Sequence, residues 1–136
     1  MVESDLPFTS PWLLAPMEGV TDPLYRGLVL ALHEPANLGG AFTEFLRIST
    51  RPAKGRDILR HMGPCTSPIP VGLQLMGSNV EFMAESAREA VRVGAPVIDI
   101  NFGCPAKGAL QGCAGSSMLR DPAGVENMVR AIARAV

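Results

Sequence analysis

Four short apolar segments recur along this chain about every 30 residues, the size of one βαβ unit, and most are followed by a stretch of helical periodicity. They lie at 12–17, 41–46 and 71–76, and the fourth starts at Val97 and stops before Gly103. This alternation predicts an α/β fold in which helices cover a parallel sheet, either doubly wound or a (β/α) barrel. A complete (β/α)8 barrel needs about 250 residues, so four units correspond to half of such a barrel or to a small open sheet. No GxGxxG follows the first segment, which argues against a dinucleotide-binding Rossmann domain.

Capping residues and periodicity predict three helices, at 22–34, 79–93 and 122–136. Two intervening regions are predicted to be irregular: the proline-rich connection 49–70, with at most one helical turn near Ile58, and a glycine-rich loop at 108–116. The apolar positions that define the helices are Leu24, Leu28 and Leu32, then Phe82, Met83, Ala87, Ala90 and Val91, then Val125, Met128, Val129 and Ile132. We expect residues 1–10 to form a flexible N-terminus and residues 11–136 to form one domain.

Composition sets limits on the kind of protein this is. Hydrophobic residues make up 47% of the chain, enough for a core, and the net charge of −1 gives no general attraction to nucleic acid. Three cysteines without CxxC spacing, and no secretory segment before them, argue against a disulfide framework and favour the reducing cytoplasm. No apolar run is long enough to span a membrane, and His33 and His61 belong to no metal-ligand motif. We therefore expect neither a membrane partner nor a metal site.

Several candidate site residues, most of them polar, lie at the carboxyl ends of the predicted strands. Because parallel strands end at one edge of a sheet, these residues should converge on one concave site. They are Pro16, Met17 and Glu18 after the first strand, Glu44 and Arg47 on the second, Gln74 and Met76 on the third, and Asn101 and Cys104 after the fourth.

This set of side chains is rich in amides and weakly charged. Gln74 and Asn101 each offer a donor and an acceptor, which suits a planar heterocycle such as a flavin or a nucleobase. Cys104, with Lys107 just beyond it, could act as a nucleophile or as a proton donor. The plainer alternatives are a cysteine that fills the core and amides that only satisfy strand ends. A hydrolase is disfavoured, because no pair of acid–base residues stands out and no histidine is near Cys104 in sequence.

These residues lie in motifs that resemble the flavin-dependent tRNA-dihydrouridine synthases, and the likeness covers nearly the whole chain. The run from Asn101 to Lys107, of the form Asn-x-Gly-Cys-Pro-x-Lys, is its most specific element. The first and second strands lean toward the C-type subgroup, which acts on the uridine at position sixteen of the tRNA D-loop. The matching segments are Ala15–Val20 with Asp22 and Arg26, Thr43–Phe45, Gly72–Leu75, Asp99–Lys107 and Met118–Pro122.

The resemblance implies the first half of a flavin-binding TIM barrel, with FMN as cofactor, NADPH or NADH as reductant and tRNA as partner. It implies that Cys104 is the general acid that protonates C5 of uracil while hydride reaches C6. The other implied roles are flavin binding by Pro16, Met17, Glu18, Gln74 and Asn101, and substrate contact by Arg47, Asn101 and Lys107. In this family a lysine and a histidine of the second half-barrel, late flavin-phosphate loops and a C-terminal helical tRNA-binding domain complete the site, and none of them matches these 136 residues.

Two further hypotheses remain open at this point. The chain could be an inactive truncated half-barrel that self-associates through its exposed sheet edges. It could also belong to another FMN-dependent pyrimidine dehydrogenase, of the dihydroorotate dehydrogenase type, although the Gly-Cys-Pro-Ala-Lys run favours the tRNA enzyme.

Overall fold

A computed structural model describes residues 6–136. It contains one sheet of four parallel strands in the order β1-β2-β3-β4, with a helix between consecutive strands, which confirms the predicted α/β fold. The strands are β1 Leu13–Leu14, β2 Gly40–Ile48, β3 Val71–Gly77 and β4 Ile98–Ile100. The helices are α1 Pro23–Ala31, α2 Gly55–Met62, α3 Val80–Arg92, α4 Lys107–Gln111 and α5 Pro122–Ala135, and a 3-10 helix spans Gly115–Arg120.

The two faces of the sheet differ in what they contact. Leu73 and Leu75 of β3 point toward the helices, where they pack in an apolar core, whereas Gln74 and Met76 alternate with them and point to the concave face. The buried members of this core come from the sheet and from α2, α3 and α5: Ile48, Ile58, Leu73, Leu75, Met83, Ala87, Ala90, Ala95, Met128 and Ile132. The concave face is therefore free to carry polar residues, and the packing of α3 and α5 holds the strands that present them.

The segment before β1 contacts the sheet. Residues 1–5 of the N-terminus that we expected to be flexible lie outside the described residues. The Phe8 ring meets the Phe42 ring edge-on at 5.7 Å between centroids, and the Thr9 N–H donates to Gly39 O at 3.2 Å. These contacts tie residues 8 and 9 to the amino end of the sheet.

Two predicted elements have the right position but the wrong extent or exposure. The first strand was predicted to run over 12–17 but covers only Leu13–Leu14, since Pro16 has no N–H and the Met17 N–H is taken by the Thr21 hydroxyl. Helix α1 forms as predicted, with Asp22 accepting from the Tyr25 N–H as its N-cap. Its leucines at a four-residue step face outward, however. Leu24, Leu28 and Leu32 are 83%, 60% and 74% exposed.

Both segments predicted to be irregular contain regular structure. Within 49–70 the prolines lie outside α2, which buries Ile58 completely. The backbone N–H of its first residue, Gly55, donates to the Glu89 carboxylate of α3. The glycines within 108–116 predict a loop, but α4 and the start of the 3-10 helix occupy most of that range. None of the described helices is both long and apolar enough to cross a membrane.

Candidate active site

Gln74 lies at the centre of the concave face near the carboxyl edge of the sheet. The register pairs it with Phe45 on one side and with Asp99 on the other, so its side chain stands beside that of Asp99. Its Nε2 donates to Asp99 Oδ2 at 2.5 Å, and its backbone N–H donates to Thr43 Oγ1 at 3.0 Å. The glutamine is only 6% exposed, so its carboxamide is held in one place.

Asn101 joins this pair to the segment that leaves the sheet. Its backbone N–H donates to Leu75 O at 2.9 Å, and its Nδ2 donates to Gln74 Oε1 at 2.9 Å. Its Oδ1 accepts the backbone N–H groups of Gly103 at 3.0 Å and of Cys104 at 2.9 Å. This turn, closed by one asparagine side chain, fixes where the cysteine leaves β4.

Cys104 is half-buried at the concave rim. It packs in a small apolar cluster with Phe45 and Met76 of the concave face and with Ala109 and Ala114 beyond the loop. Its carbonyl accepts from both the N–H and the hydroxyl of Ser116, each at 3.1 Å. The cysteine therefore lies on the same face as Gln74 and Asn101 and is not sealed in the helical core.

The chain around Cys104 is also held by close backbone approach. Gly115 has a φ of +60°, and a Cβ at that position would lie 2.6 Å from the Cys104 carbonyl oxygen. Only glycine fits at such a distance, so the 3-10 helix rests directly on the cysteine's backbone.

The turn after β1 carries the other predicted flavin residues. The Met17 carbonyl accepts from the N–H groups of Val20 and Thr21, and the Thr21 hydroxyl accepts from the Met17 N–H at 2.8 Å. Gly19, at a φ of +77°, donates its N–H to the carboxylate of Glu44 on β2. The turn is therefore rigid, while its Met17 side chain is 44% exposed at the rim.

The buried Arg26 stabilises this turn by hydrogen bonds to backbone carbonyls. The guanidinium of Arg26, 2% exposed, donates to the carbonyls of Thr21 at 2.8 Å, His61 at 3.3 Å and Met62. Burial lowers the pKa of Arg26, and the nearby negative charges of Glu44 and Asp22 oppose that shift. The arginine thus joins the turn and α1 to the carbonyl end of α2.

Arg47 reaches from β2 to α4. Its guanidinium donates to Gly108 O at 2.6 Å, and a Cβ at Gly108 or Gly112 would lie 3.2 and 3.3 Å from its terminal nitrogens. Gly108 in α4 and Gly112 at its C-cap therefore let this helix approach the arginine closely. Lys107 is the exposed first residue of α4.

A polar cleft of about 300 Å³ opens beside Arg47 at the end of β2. Arg51 lines it and contacts the Asp57 carboxylate at 3.4 Å. Ser49 and Thr50 add hydroxyls to the same wall. The cleft offers two cationic side chains and hydrogen-bond donors at the carboxyl edge.

The structure joins three predicted site residues directly, Gln74, Asn101 and Cys104. The turn at 16–18 is joined to β2 through Glu44, whereas Asn101 follows β4, two strands away. Arg47 contacts α4. Sequence reasoning gave no role to Asp99, although a lone acid between Ile98 and Ile100 signals a partner, because a carboxylate in an apolar strand must be paired. Among the described residues, no group of three or more His, Cys, Asp or Glu side chains could hold a metal ion.

A family model described as dihydrouridine synthase (Dus) matches residues 13–136. The chain belongs to the dihydrouridine synthase family. This membership and the observed strand order confirm that the four units are the first half of a TIM barrel.

Three relatives illustrate the similarity within this family. A tRNA-dihydrouridine(16) synthase of Pseudomonas putida is 37% identical over 129 residues, which cover 90% of this chain and 39% of the relative. A tRNA-dihydrouridine synthase B of Pseudomonas aeruginosa is 39% identical over 132 residues, covering 96% of this chain and 39% of the relative. A tRNA-dihydrouridine synthase B of Xanthomonas campestris pv. campestris is 39% identical over 124 residues, which cover 91% of this chain and 36% of the relative. The chain thus spans about two fifths of the length of these relatives, all of which are named as tRNA-dihydrouridine synthases.

Proposed function

We propose that this dihydrouridine synthase chain contributes half of an active site that reduces the C5–C6 double bond of a D-loop uridine in tRNA, with FMN and with NADPH or NADH as reductant. The observation that carries the proposal is the hydrogen-bonded series Gln74, Asn101, Cys104 at the carboxyl edge of the sheet. It places a thiol and two carboxamides on one concave face, in a chain whose relatives are named for this reaction.

The residues of the concave face fit a flat flavin ring. The second Nε2 hydrogen of Gln74 and the second lone pair of its Oε1 are the groups that would meet the ring's polar edge. The turn at 16–18 has a fixed backbone and an exposed Met17 side chain, which suits packing against the ring. Asn101 would contact the ring edge or the uracil. When bound, FMN supplies the hydride that adds to C6 of uracil.

Cys104 is the general acid in this proposal. As charge develops at C5 of the uracil, the Sγ–H bond breaks and its proton forms the new C5–H bond, and the thiolate then takes a proton from water. Asn101 Oδ1 fixes the backbone of this residue, and Phe45 and Met76 pack beside it. The cysteine is therefore held at the rim, where a base entering the barrel mouth would arrive.

The cationic side chains near the rim suit the phosphates of tRNA. Arg47 and Arg51 line the cleft at the end of β2, and Lys107 is exposed at the start of α4. The net charge of −1 shows that any attraction to RNA must come from such local groups. The uridine must leave its stack to reach the site. We place this reaction in the cytoplasm, in keeping with the three free cysteines of the chain.

The motifs lean toward uridine sixteen as the target. The relatives carry two names at similar identity, 37% for a tRNA-dihydrouridine(16) synthase and 39% for a synthase B. We therefore propose a D-loop uridine as the substrate and position sixteen as the first to test, by mapping dihydrouridine in treated tRNA by mass spectrometry.

The role of Cys104 is tested by Cys104→Ala, made in the 136-residue chain and in a chimaera in which this chain replaces the matched residues of the P. putida relative. We expect dihydrouridine formation to fall by about 10²–10⁴-fold, the usual contribution of a general acid, while the visible flavin spectrum is kept. The matched control is Cys65→Ala, which removes an exposed thiol outside the site. Full turnover in the Cys104 variant would remove this residue from the mechanism.

A second candidate is a half-barrel without catalysis. It is favoured by the sheet order, which leaves β1 and β4 as edge strands in the described part of the chain. Such edges offer unpaired backbone groups to another chain. The visible spectrum and the mass in solution of the purified 136-residue chain decide between the enzyme and the half-barrel without catalysis. A yellow, monodisperse sample favours the enzyme, and a flavin-free, self-associated one favours the half-barrel.

A further inference from the structure

We propose that Asp99 is a positioning residue: it fixes the orientation of the Gln74 and Asn101 carboxamides and, through them, the backbone at Cys104. The inference rests on the proposed function only in assigning a reaction to Cys104. The positioning itself follows from three consecutive side-chain hydrogen-bond steps, which run from Asp99 to Gln74, to Asn101 and to the N–H groups of residues 103 and 104.

The direction of this chain of hydrogen bonds is fixed at both ends. The Asp99 carboxylate only accepts, and the backbone N–H groups of Gly103 and Cys104 only donate. Gln74 must therefore turn its NH₂ toward Asp99 and its oxygen toward Asn101, and Asn101 must turn its oxygen toward the loop. Flipping either amide would set N–H against N–H at one junction and oxygen against oxygen at the other.

The geometry explains why an acid occupies this place. Gln74 is 6% exposed, so water cannot readily replace a lost partner of its NH₂ group. A carboxylate acceptor also makes the first hydrogen bond charge-assisted, and such bonds are stronger than those between neutral groups. With that bond made, the second Nε2 hydrogen and the second Oε1 lone pair of Gln74 remain available to a ligand. Asp99 therefore determines which groups of Gln74 the site presents.

Two backbone amides report directly on this arrangement. The N–H groups of Gly103 and Cys104 both have Asn101 Oδ1 as their acceptor, so their hydrogen exchange measures how firmly that side chain is held. Exchange would be measured by mass spectrometry with fragmentation to single residues, on the 136-residue chain. The amides of Met83 and Ala87, buried in α3, serve as the internal control for overall stability.

We expect Asp99→Ala to accelerate exchange at Gly103 and Cys104 by about fivefold or more, the equivalent of one hydrogen bond of about 1 kcal/mol, with little change at Met83. Gln74→Glu should act in the same direction, because it sets a second carboxylate against Asp99. The double variant Asp99→Asn/Gln74→Glu should restore protection, since the new asparagine can donate to the new glutamate, which still accepts from Asn101.

The double variant separates positioning from general destabilisation, since it rebuilds the junction between residues 99 and 74 with the donor and acceptor exchanged and leaves the other two junctions as they are. Unchanged exchange at Gly103 and Cys104 in Asp99→Ala would overturn the proposal, as would failure of the double variant to restore protection while Met83 stays protected. Absence of protection at these amides in the unsubstituted chain would overturn it too. Turnover enters none of these readouts, so the proposal can fail while the proposed function stands, and the reverse.

Discussion

Removing the buried guanidinium of Arg26 should weaken both the fold and the turn at 16–21. In Arg26→Met, a side chain of similar length loses three hydrogen bonds, to the carbonyls of Thr21, His61 and Met62. Bonds from a charged donor contribute about 1.5–3 kcal/mol each, which sets an upper limit near 5–9 kcal/mol. Burial of the charge, which lowers the pKa of Arg26, opposes the stabilisation by these hydrogen bonds. The bond to His61 is long, at 3.3 Å, and contributes less than the other two.

We therefore expect Arg26→Met to lower the free energy of unfolding by about 3 kcal/mol, because the carbonyls of Thr21 and Met62 lose their donor and each unsatisfied buried group costs about 1–3 kcal/mol. Urea unfolding followed by circular dichroism, at one fixed protein concentration, measures this difference. The control is Arg88→Met, since Arg88 is exposed on α3 and its loss should cost less than about 0.5 kcal/mol. Equal stabilities of the two variants would refute the assignment of Arg26 as the anchor of the turn.

Three further outcomes follow from the same structure. Met83→Ala, at a fully buried position in the core, should lower the free energy of unfolding by about 2–5 kcal/mol in the urea experiment, and an effect below 1 kcal/mol would mean that α3 does not pack as described. The hydrogen bond from Arg92 lowers the pKa of Glu89 below its ordinary 4.5. This pair therefore stabilises the fold above that pH, and its contribution is lost as pH falls through the lowered pKa. Glu89→Gln should reduce this loss of stability at acid pH, and a pH profile of stability equal to that of the unsubstituted chain would contradict the prediction. Because β1 and β4 are edge strands among the described residues, the mass of the chain in solution should rise with concentration in light scattering, and a monomer at all concentrations would count against exposed edges.

The fold was predictable because its signal is periodic. Strands β2 and β3 are mostly apolar runs that end near Arg47 and Gly77, and a spacing of about 30 residues leaves room for one covering helix. What could not be predicted depends on partners distant in sequence. The carbonyl end of α2 is satisfied by Arg26, 35 residues earlier, and no local pattern in the proline-rich connection reveals such a contact.

The exposed leucines of α1 show the limit of periodicity as evidence for burial. A four-residue step of Leu24, Leu28 and Leu32 correctly indicates a helix, but it does not say which face meets the sheet. In the structure Leu30 and Arg26 are buried instead, and the leucine face points away from the described residues.

For the candidate site, the sequence could supply the residue types but not their connections. Parallel strands bring Gln74 and Asn101 to one edge, which the order of the strands already implies. The Asn101 side-chain oxygen accepts from the backbone of Cys104, and its nitrogen donates to Gln74. Both contacts follow from the register, which pairs Gln74 with Asp99 and places Asn101 two residues further along the chain, just past β4. A shift of β4 by one residue would turn Asp99 and Asn101 toward the helices and away from Gln74. The register of β3 and β4 therefore determines the chemistry of the rim, and the apolar alternation of Leu73 and Leu75 with Gln74 is what sets that register.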